Sequence, residues 1–359
     1  MPTLFDPVVF GAIEASNRIL MAPLTRTRGS ADHVPTAIMA EYYVQRASAG
    51  LIISEAIGVS RQGLGMPYAT GLWRSDQVEG WARITEAVHN AGGRIVAQIW
   101  HMGRMVHPSF VDGAAPVSSS ATTAPGRAHT YEGRTPYAVA RPLEAEEIAA
   151  IIEDYRKAAR NALRAGFDGV QIHAANGYLL DQFLRDNANH RDDLYGGTID
   201  NRMRFLLEVV AAVCDEIGAD RTSVRLSPNG DAQGVNDSDP EPLFAAVASA
   251  LDPFGLSFLE LREPPRSGTL GLPDRDPIAP VIRKNFSGKL VLNSDLTRAD
   301  AEGLVSAAAA DAISFGRLFI SNPDLALRFA RDLPVASYDR DTSYGQGPEG
   351  YTDYPAAAL

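Results

Sequence analysis

Eight short apolar runs recur along the chain, each followed by a segment with helical spacing. The runs are "NRILMAPL" (17–24), "GLIISEAI" (50–57), "RIVAQIWH" (94–101), "GVQIHAA" (169–175), "SVRLSP" (223–228), "SFLELRE" (257–263), "KLVLNSD" (289–295) and "AISFGR" (312–317). They are rich in Val, Ile and Leu and alternate too little for a sheet with one wet face, so they read as parallel strands buried on both sides. The clearest helix between them is "LEAEEIAAIIEDYRKAARNALRAG", where Ile148, Ile151, Ile152, Tyr155, Ala158, Ala159, Ala162 and Leu163 follow the i, i+3, i+4, i+7 pattern. Acidic residues lead it and basic residues close it, as the helix dipole prefers, and Gly166 stands where a terminating glycine belongs. Strand then helix, eight times over, predicts an α/β fold, a (β/α)8 TIM barrel across residues 1–359 as one domain. A doubly wound open sheet is the alternative architecture.

Two segments fall outside this rhythm. About forty residues, 102–142, separate the third run from the next helix, and they include "PVSSSATTAPGRAHTYEGRTP". Compact domains rarely carry such loops idly. This one leaves the C-terminal end of a strand, where barrel active sites lie, so it is expected to form a lid. The start, "LFDPVVFGAIEASN", reads as a hairpin closing the barrel bottom, and the end, "YGQGPEGYTDYPAAAL", as a Gly/Pro-rich tail with three tyrosines.

Composition narrows the function. Of 359 residues, 45 % are hydrophobic and 21 % charged, enough apolar chain for a large core. A net charge of −11 without a basic block argues against nucleic acid and anionic membranes as partners. The single cysteine, Cys214, sits in an apolar helical pattern and excludes an intramolecular disulfide or a four-Cys metal or iron–sulfur site. No signal peptide or membrane span is read, so the expected setting is cytoplasmic.

The strand ends carry polar groups: Thr25 and Arg26, Glu55, Gln98 with Trp100 and His101, His173 with Asn176 and Tyr178, Arg225, Glu260 and Arg262, then "NSD" and "GR". One such residue proves little. His173 alone reads equally as a turn histidine, Tyr178 as a packed helix residue, Trp100 and His101 as core. Arg225 is harder to set aside, because a charge in an apolar strand needs a partner. In "SFGRLFISNPDL", Gly316 and Arg317 suit a phosphate, as loops after the last barrel strands often do. Metal-ligand spacing, a G-x-S-x-G nucleophile elbow and a G-x-G-x-x-G nucleotide motif are all absent. A phosphate-bearing organic cofactor in the barrel mouth is the natural inference.

These blocks, "NRILMAPLTR", "QIWHMGR", "GFDGVQIHAANGYLLDQFLRDNANHRDDLYGG", "VRLSPNG" and "FGRLFISNPDL", resemble the Old Yellow Enzyme family over essentially the whole chain. Thr25, where another branch carries Cys, points to the Thr-type branch. The resemblance implies an NAD(P)H-dependent FMN ene-reductase: NAD(P)H reduces tightly held FMN, and flavin N5 then passes hydride to the β-carbon of an enone, maleimide or nitroalkene. It implies that Pro23, Leu24, Thr25, Ala56, Gln98 and Arg225 face the flavin ring. Asn293, Ser294, Gly316 and Arg317 would hold its phosphate, while His173 and Asn176 grip the substrate oxygen and Tyr178 gives a proton to the α-carbon. Trp100, Tyr351, Met66 and Tyr68 would shape the substrate pocket; Met66 stands near where many relatives carry an aromatic. Reduction of nitrate esters or nitroaromatics at the same site is the alternative within this class. Outside it stand a flavin-free lyase or aldolase, which wants a lysine at a strand end, where the C-terminal halves of these runs carry none, and a non-catalytic binding barrel. The chain is expected as a monomer or homodimer.

Overall fold

The computed structural model describes residues 1–264, 273 and 275–357. All eight apolar runs form strands: β1 (Ile19–Met21), β2 (Leu51–Gly58), β3 (Ile95–Trp100), β4 (Gly169–Ala174), β5 (Thr222–Leu226), β6 (Phe258–Arg262), β7 (Leu290–Asn293) and β8 (Ala312–Phe315). They pair in parallel in sequence order and close into one barrel, β8 beside β1. The architecture is therefore the (β/α)8 barrel and not the open sheet. Short apolar strands cannot stand alone, and closure with helices outside hides every strand edge and both faces. The longest helix, Ala145–Arg164, turns its Ile148, Ile151, Tyr155, Ala158, Ala159 and Ala162 inward. It ends as predicted at Gly166, whose φ of +82° only glycine adopts readily.

The barrel interior is built in layers, because every second residue of a strand points inward. On β6 these are Phe258, Glu260 and Arg262. Phe258 belongs to the lowest layer, an apolar cluster with Leu20, Leu51, Ile53, Val96, Val291 and Ala312. The N-terminal hairpin, Val8–Phe10 paired with Ile13–Ala15, plugs this end, sending Val8, Phe10, Ile13 and Ala15 into the same cluster. Its two-residue turn docks by the Ala12 amide, which donates to the Asp220 carbonyl at 2.9 Å. Gly11 has φ +58°, and a Cβ there would collide with that same carbonyl. The hairpin is thus keyed to the barrel floor at one glycine.

The excursion 102–142 is more ordered than its composition suggests. It contains 3-10 turns at Gly103–Met105 and Pro108–Phe110 and a hairpin, Arg127–Thr130 with Gly133–Pro136. Its second part closes on itself, with Val117–Ser118 paired to Arg141–Pro142. Met102, Met105, Val106 and Phe110 pack with Trp100, and Tyr137 joins that cluster beside Tyr178. The segment therefore covers the C-terminal mouth. Among the described residues no helix is long and apolar enough to cross a membrane.

Gly11→Ala is expected to lower stability by about 1–3 kcal/mol, the cost of forcing a strained left-handed turn against backbone. Urea denaturation followed by tryptophan fluorescence measures it.

Candidate active site

The stretch after β4 turns a tight corner. Asn176 (φ +56°) and Gly177 (φ +77°) are both left-handed, and a Cβ on Gly177 would strike the Ala232 carbonyl. The freed amides are taken up locally: Asn176 N–H by Ser227 Oγ at 2.7 Å and Gly177 N–H by Asp181 Oδ2 at 2.9 Å. Beneath the corner Arg185 pairs with Asp181 at 2.8 Å, both side chains almost wholly buried. Arg185 also donates to the Ser227 carbonyl. Such a buried ion pair stiffens the turn, and removing either member would strand a charge. The corner thus delivers His173, Asn176 and Tyr178 to one place.

Their protonation follows from that packing. His173 Nδ1 accepts from the Ala175 amide at 3.3 Å, which leaves the ring proton on Nε2. Burial, with Arg225 nearby, holds the His173 imidazole well below its ordinary value, so the ring is neutral. Asn176 Oδ1 is buried without a hydrogen-bond partner while its side chain lines a cavity in the mouth. Tyr178 is half-buried at the start of the helix Leu179–Leu184. Burial pushes its phenol up to about 12, with a hydrogen bond to Gln233 opposing. The phenol therefore keeps its proton throughout the neutral range.

Trp100 stands against both partners. Its ring lies 6.1 Å from His173 at an interplanar angle of 20°, and 4.6 Å from Tyr178 at 76°. His173 and Tyr178 meet edge to face at 5.0 Å. Met66 packs on the same cluster. Tyr68 instead faces Tyr131 of the excursion at 5.2 Å. Three residues that the sequence did not single out also reach this corner. Gln233 donates to the Asn176 carbonyl at 2.8 Å, and Tyr137 and Tyr344 lie near enough to Tyr178 to influence its phenol.

Tyr351 corrects an expectation. It does not shape the pocket: it is fully buried, stacked on Tyr42 at 4.0 Å and 5°, with the Arg28 guanidinium 4.5 Å from its ring centre. The tail has three tyrosines, and the one at the mouth is Tyr344, 65 % exposed. The cause is the arginines of the first loop. Arg26 donates to the carbonyls of Ser343 and Gly350, and Arg28 to those of Ser343 and Glu349. They strap the tail over the barrel rim and draw Tyr351 under it. Glu55 lies beneath them, taking a hydrogen bond from Thr70; burial pushes its carboxyl up to about 7 against the pull of Arg26 and Arg28.

The cavity beside this corner gathers most of the remaining candidates: Pro23, Leu24, Arg225, Asn293, Ser294, Gly316 and Arg317. Arg262, Glu263 and Asp295 join them. A Cβ built on Gly316 meets nothing closer than Leu24 at 3.5 Å, so the glycine leaves open room in the cradle. Arg317 pairs with Asp295, its Nε 3.1 Å from Oδ1. Asn293 accepts from Arg225 at 2.6 Å, and Ser294 Oγ donates to the Glu263 carbonyl at 2.7 Å. Across the mouth, β2 is irregular after Ile53, which sets Ala56 opposite Gln98 on β3. Thr25 is half-buried just past Leu24. Open space, a neutral donor corner and three guanidinium groups suit a flat heterocycle with a phosphate tail. Among the described residues no His/Cys/Asp/Glu cluster has the makings of a metal site.

A barrel whose C-terminal mouth joins such a cradle to aromatic walls defines a flavin-type oxidoreductase. The sequence model of the NADH:flavin oxidoreductase / NADH oxidase family matches residues 3–335, and the chain belongs to this family, within its Old Yellow Enzyme group. It is similar to an old yellow enzyme homologue from Zymomonas mobilis, with 57 % identity, a TM-score of 0.97 and 99 % of each chain covered. It is likewise similar to morphinone reductase solved with tetrahydroNAD, at 42 % identity and a TM-score of 0.94 over 100 % of this chain and 98 % of that one. A putative 12-oxophytodienoate reductase 11 of Oryza sativa subsp. japonica is 44 % identical, over 98 % of this chain and 97 % of its own. The protein is an NAD(P)H-dependent ene-reductase whose cofactor is FMN.

Two buried histidines give the site a pH signature. Burial holds His101 at about 3, its Nδ1 accepting from the Gly103 amide, and His173 well below its usual value. Both titrate near pH 6.5 once unfolded, so the unfolded chain binds more protons below that pH and stability falls as pH drops. Each contributes up to ~1.4 kcal/mol per pH unit, and for His101 the window runs from about 6.5 down to about 3. His101→Asn keeps an acceptor for Gly103. It is expected to show a shallower loss of urea midpoint between about pH 6 and 4 than the parent.

Proposed function

We propose that residues 1–359 work as one FMN-binding barrel domain that reduces activated alkenes, namely enones, maleimides and nitroalkenes, at the corner of His173, Asn176 and Tyr178. The observation that carries this reading is that corner itself. A neutral imidazole with its proton on Nε2, an amide residue that lines the cavity and a protonated phenol converge beside the open cradle. Pro23, Leu24, Thr25, Ala56, Gln98 and Arg225 would meet the flavin ring. Asn293, Ser294, Gly316 and Arg317 would meet its phosphate, with Arg317 sharing its charge between that group and Asp295. Bound FMN supplies the two-electron chemistry that links NAD(P)H oxidation to alkene reduction.

The chain's own residues do the rest. As the β-carbon of the alkene is reduced, negative charge grows on the carbonyl or nitro oxygen. His173 Nε2–H and the Asn176 amide donate to that oxygen, and fixed donors in a dry site favour the transition state over the ground state. A neutral imidazole suits this, since it polarises the oxygen and holds its proton. Tyr178 passes its proton to the α-carbon, and solvent restores it. A phenol near 12 is a weak acid, but a carbon gaining negative charge is a strong base, so transfer is downhill only once reduction is under way. Trp100 holds the Tyr178 ring from the side, and Met66, Tyr137 and Tyr344 bound the space left for substrate.

Tyr178→Phe is expected to slow alkene reduction about 10²-fold, at the low end of general acid effects, and to leave FMN reduction by NAD(P)H nearly intact. Stopped-flow traces of the two half-reactions measure this; equal slowing of both would remove the proton-donor role. His173→Ala with Asn176→Ala is expected to abolish the long-wavelength absorbance band formed with a phenol ligand. An unchanged phenol titration would put the oxygen clamp elsewhere.

A further inference from the structure

We propose that Glu260 is the positioning residue of the flavin site: it holds Arg225 in place and, through Gln171, fixes which way the Gln98 amide points. The proposal rests on the assignment of Arg225 and Gln98 to the flavin ring above. Glu260 lies at the middle of β6 with no solvent exposure. Its Oε1 accepts from Ser314 Oγ, its Oε2 accepts from Gln171 Nε2 at 2.9 Å, and Arg225 Nε stands 3.2 Å from that same oxygen. Three groups from three other strands therefore converge on one carboxylate.

A carboxylate facing only donors dictates the orientation of everything bonded to it. Gln171 must turn its NH2 toward Glu260, which leaves its Oε1 facing Gln98. Gln98 must then present its own NH2 to Gln171, and it does, Nε2 donating to Oε1 at 2.7 Å. The Gln98 carbonyl oxygen is thereby kept outside this chain of bonds, as an acceptor. The pyrimidine edge of a flavin carries an N–H between two carbonyls, so it needs an acceptor at one defined place. A glutamine with a free choice of flip would offer the wrong group half of the time.

The second limb concerns charge. Arg225 is held on two sides, by the ion pair of its Nε with Glu260, which lacks hydrogen-bond geometry, and by Asn293 Oδ1, which accepts from Nη2 at 2.6 Å. Asn293 is itself oriented by donating to the Ser314 carbonyl at 2.9 Å. A buried ion pair adds little net stability over apolar packing of the same shape. Its physical effect here is to fix one guanidinium and to cancel part of its field on the cofactor.

Glu260→Gln keeps the shape. The new amide oxygen can still accept from Gln171 and face Arg225, while its NH2 turns to Ser314 Oγ, which can accept. One negative charge disappears, so added electrons on bound FMN feel more of Arg225. The FMN midpoint potential, measured by dye equilibration, is expected to rise by about 30 mV or more, a tenfold change for a two-electron couple. Glu260→Asp keeps the charge and is expected to stay within half of that shift. A folded, FMN-loaded Glu260→Gln protein with an unchanged or lower potential would overturn the proposal. Should that variant not fold, Gln171→Met leaves the charge in place and deletes the relay. Its apoprotein is expected to bind FMN about tenfold more weakly by fluorescence quenching, and an unchanged Kd would overturn the relay. A parent apoprotein that ignores FMN would instead sink the flavin-site assignment itself.

Discussion

A guanidinium inside a barrel of apolar strands must be neutralised where it stands, and Glu260 does this for Arg225. Left alone, either group would carry a desolvation cost larger than any single contact around it. The pair forces further choices. Glu260 needs donors for both oxygens, and Gln171 and Ser314 supply them from neighbouring strands of the barrel wall. Asn293 is needed for the free end of Arg225. A polar belt thus runs across β3, β4, β5, β6, β7 and β8, and the site is built on top of it.

That belt divides the barrel. Below it the interior is dry and closed by the hairpin, with Phe10 and Phe258 in contact at 5.2 Å. Above it the strands end and the inner face opens into the cradle. The lower layer supplies the apolar burial that offsets the cost of the belt, since a buried phenylalanine alone contributes roughly 3 kcal/mol. The floor at Gly11 and the mouth at Gly177 are set by the same device, a glycine pressed against a neighbouring carbonyl. An apolar plug fills one end of the barrel and the cradle opens at the other, with a belt of hydrogen bonds between them.

Much of this was legible in the residues. Apolar runs gave all eight strands, because burial on both faces leaves a signal that no surface element imitates. The floor hairpin and the mouth-covering excursion were also readable, one from its turn residues and the other from its length. The corner at His173, Asn176 and Tyr178 stood out because polar residues interrupt an apolar-to-amphipathic handover. What could not be read was contact between segments far apart in sequence. Tyr137 and Gln233 reach Tyr178 from loops whose composition says only that they are loops. Tyr344 and Tyr351 lie in the same Gly/Pro-rich tail, and no periodicity there tells which ring points out. That choice is made by Arg26 and Arg28, more than 300 residues upstream. The Arg317–Asp295 pair was hidden for a similar reason, since it joins the start of a short helix to a loop after another strand.

The way the tail is held has a consequence for specificity. Arg26 and Arg28 grip it by backbone carbonyls, at Thr342, Ser343, Glu349 and Gly350, and Arg46 adds contacts at Tyr351. Those bonds do not depend on which side chain stands at 344. The excursion is anchored at its rim in a related way, with Tyr131 donating to the Ala31 carbonyl at 3.0 Å. Both segments are therefore hung on backbone, and the side chains of Tyr137 and Tyr344, which they bring near Tyr178, can be exchanged without loosening them. The proposed donors, His173, Asn176 and Tyr178, stand instead on a corner held from beneath, through the His173 ring nitrogen and through the amides of Asn176 and Tyr178. The fold thus separates the groups proposed to perform the reduction from those proposed to choose the alkene, and on that proposal substrate scope can drift along the rim while the chemistry below it stays fixed.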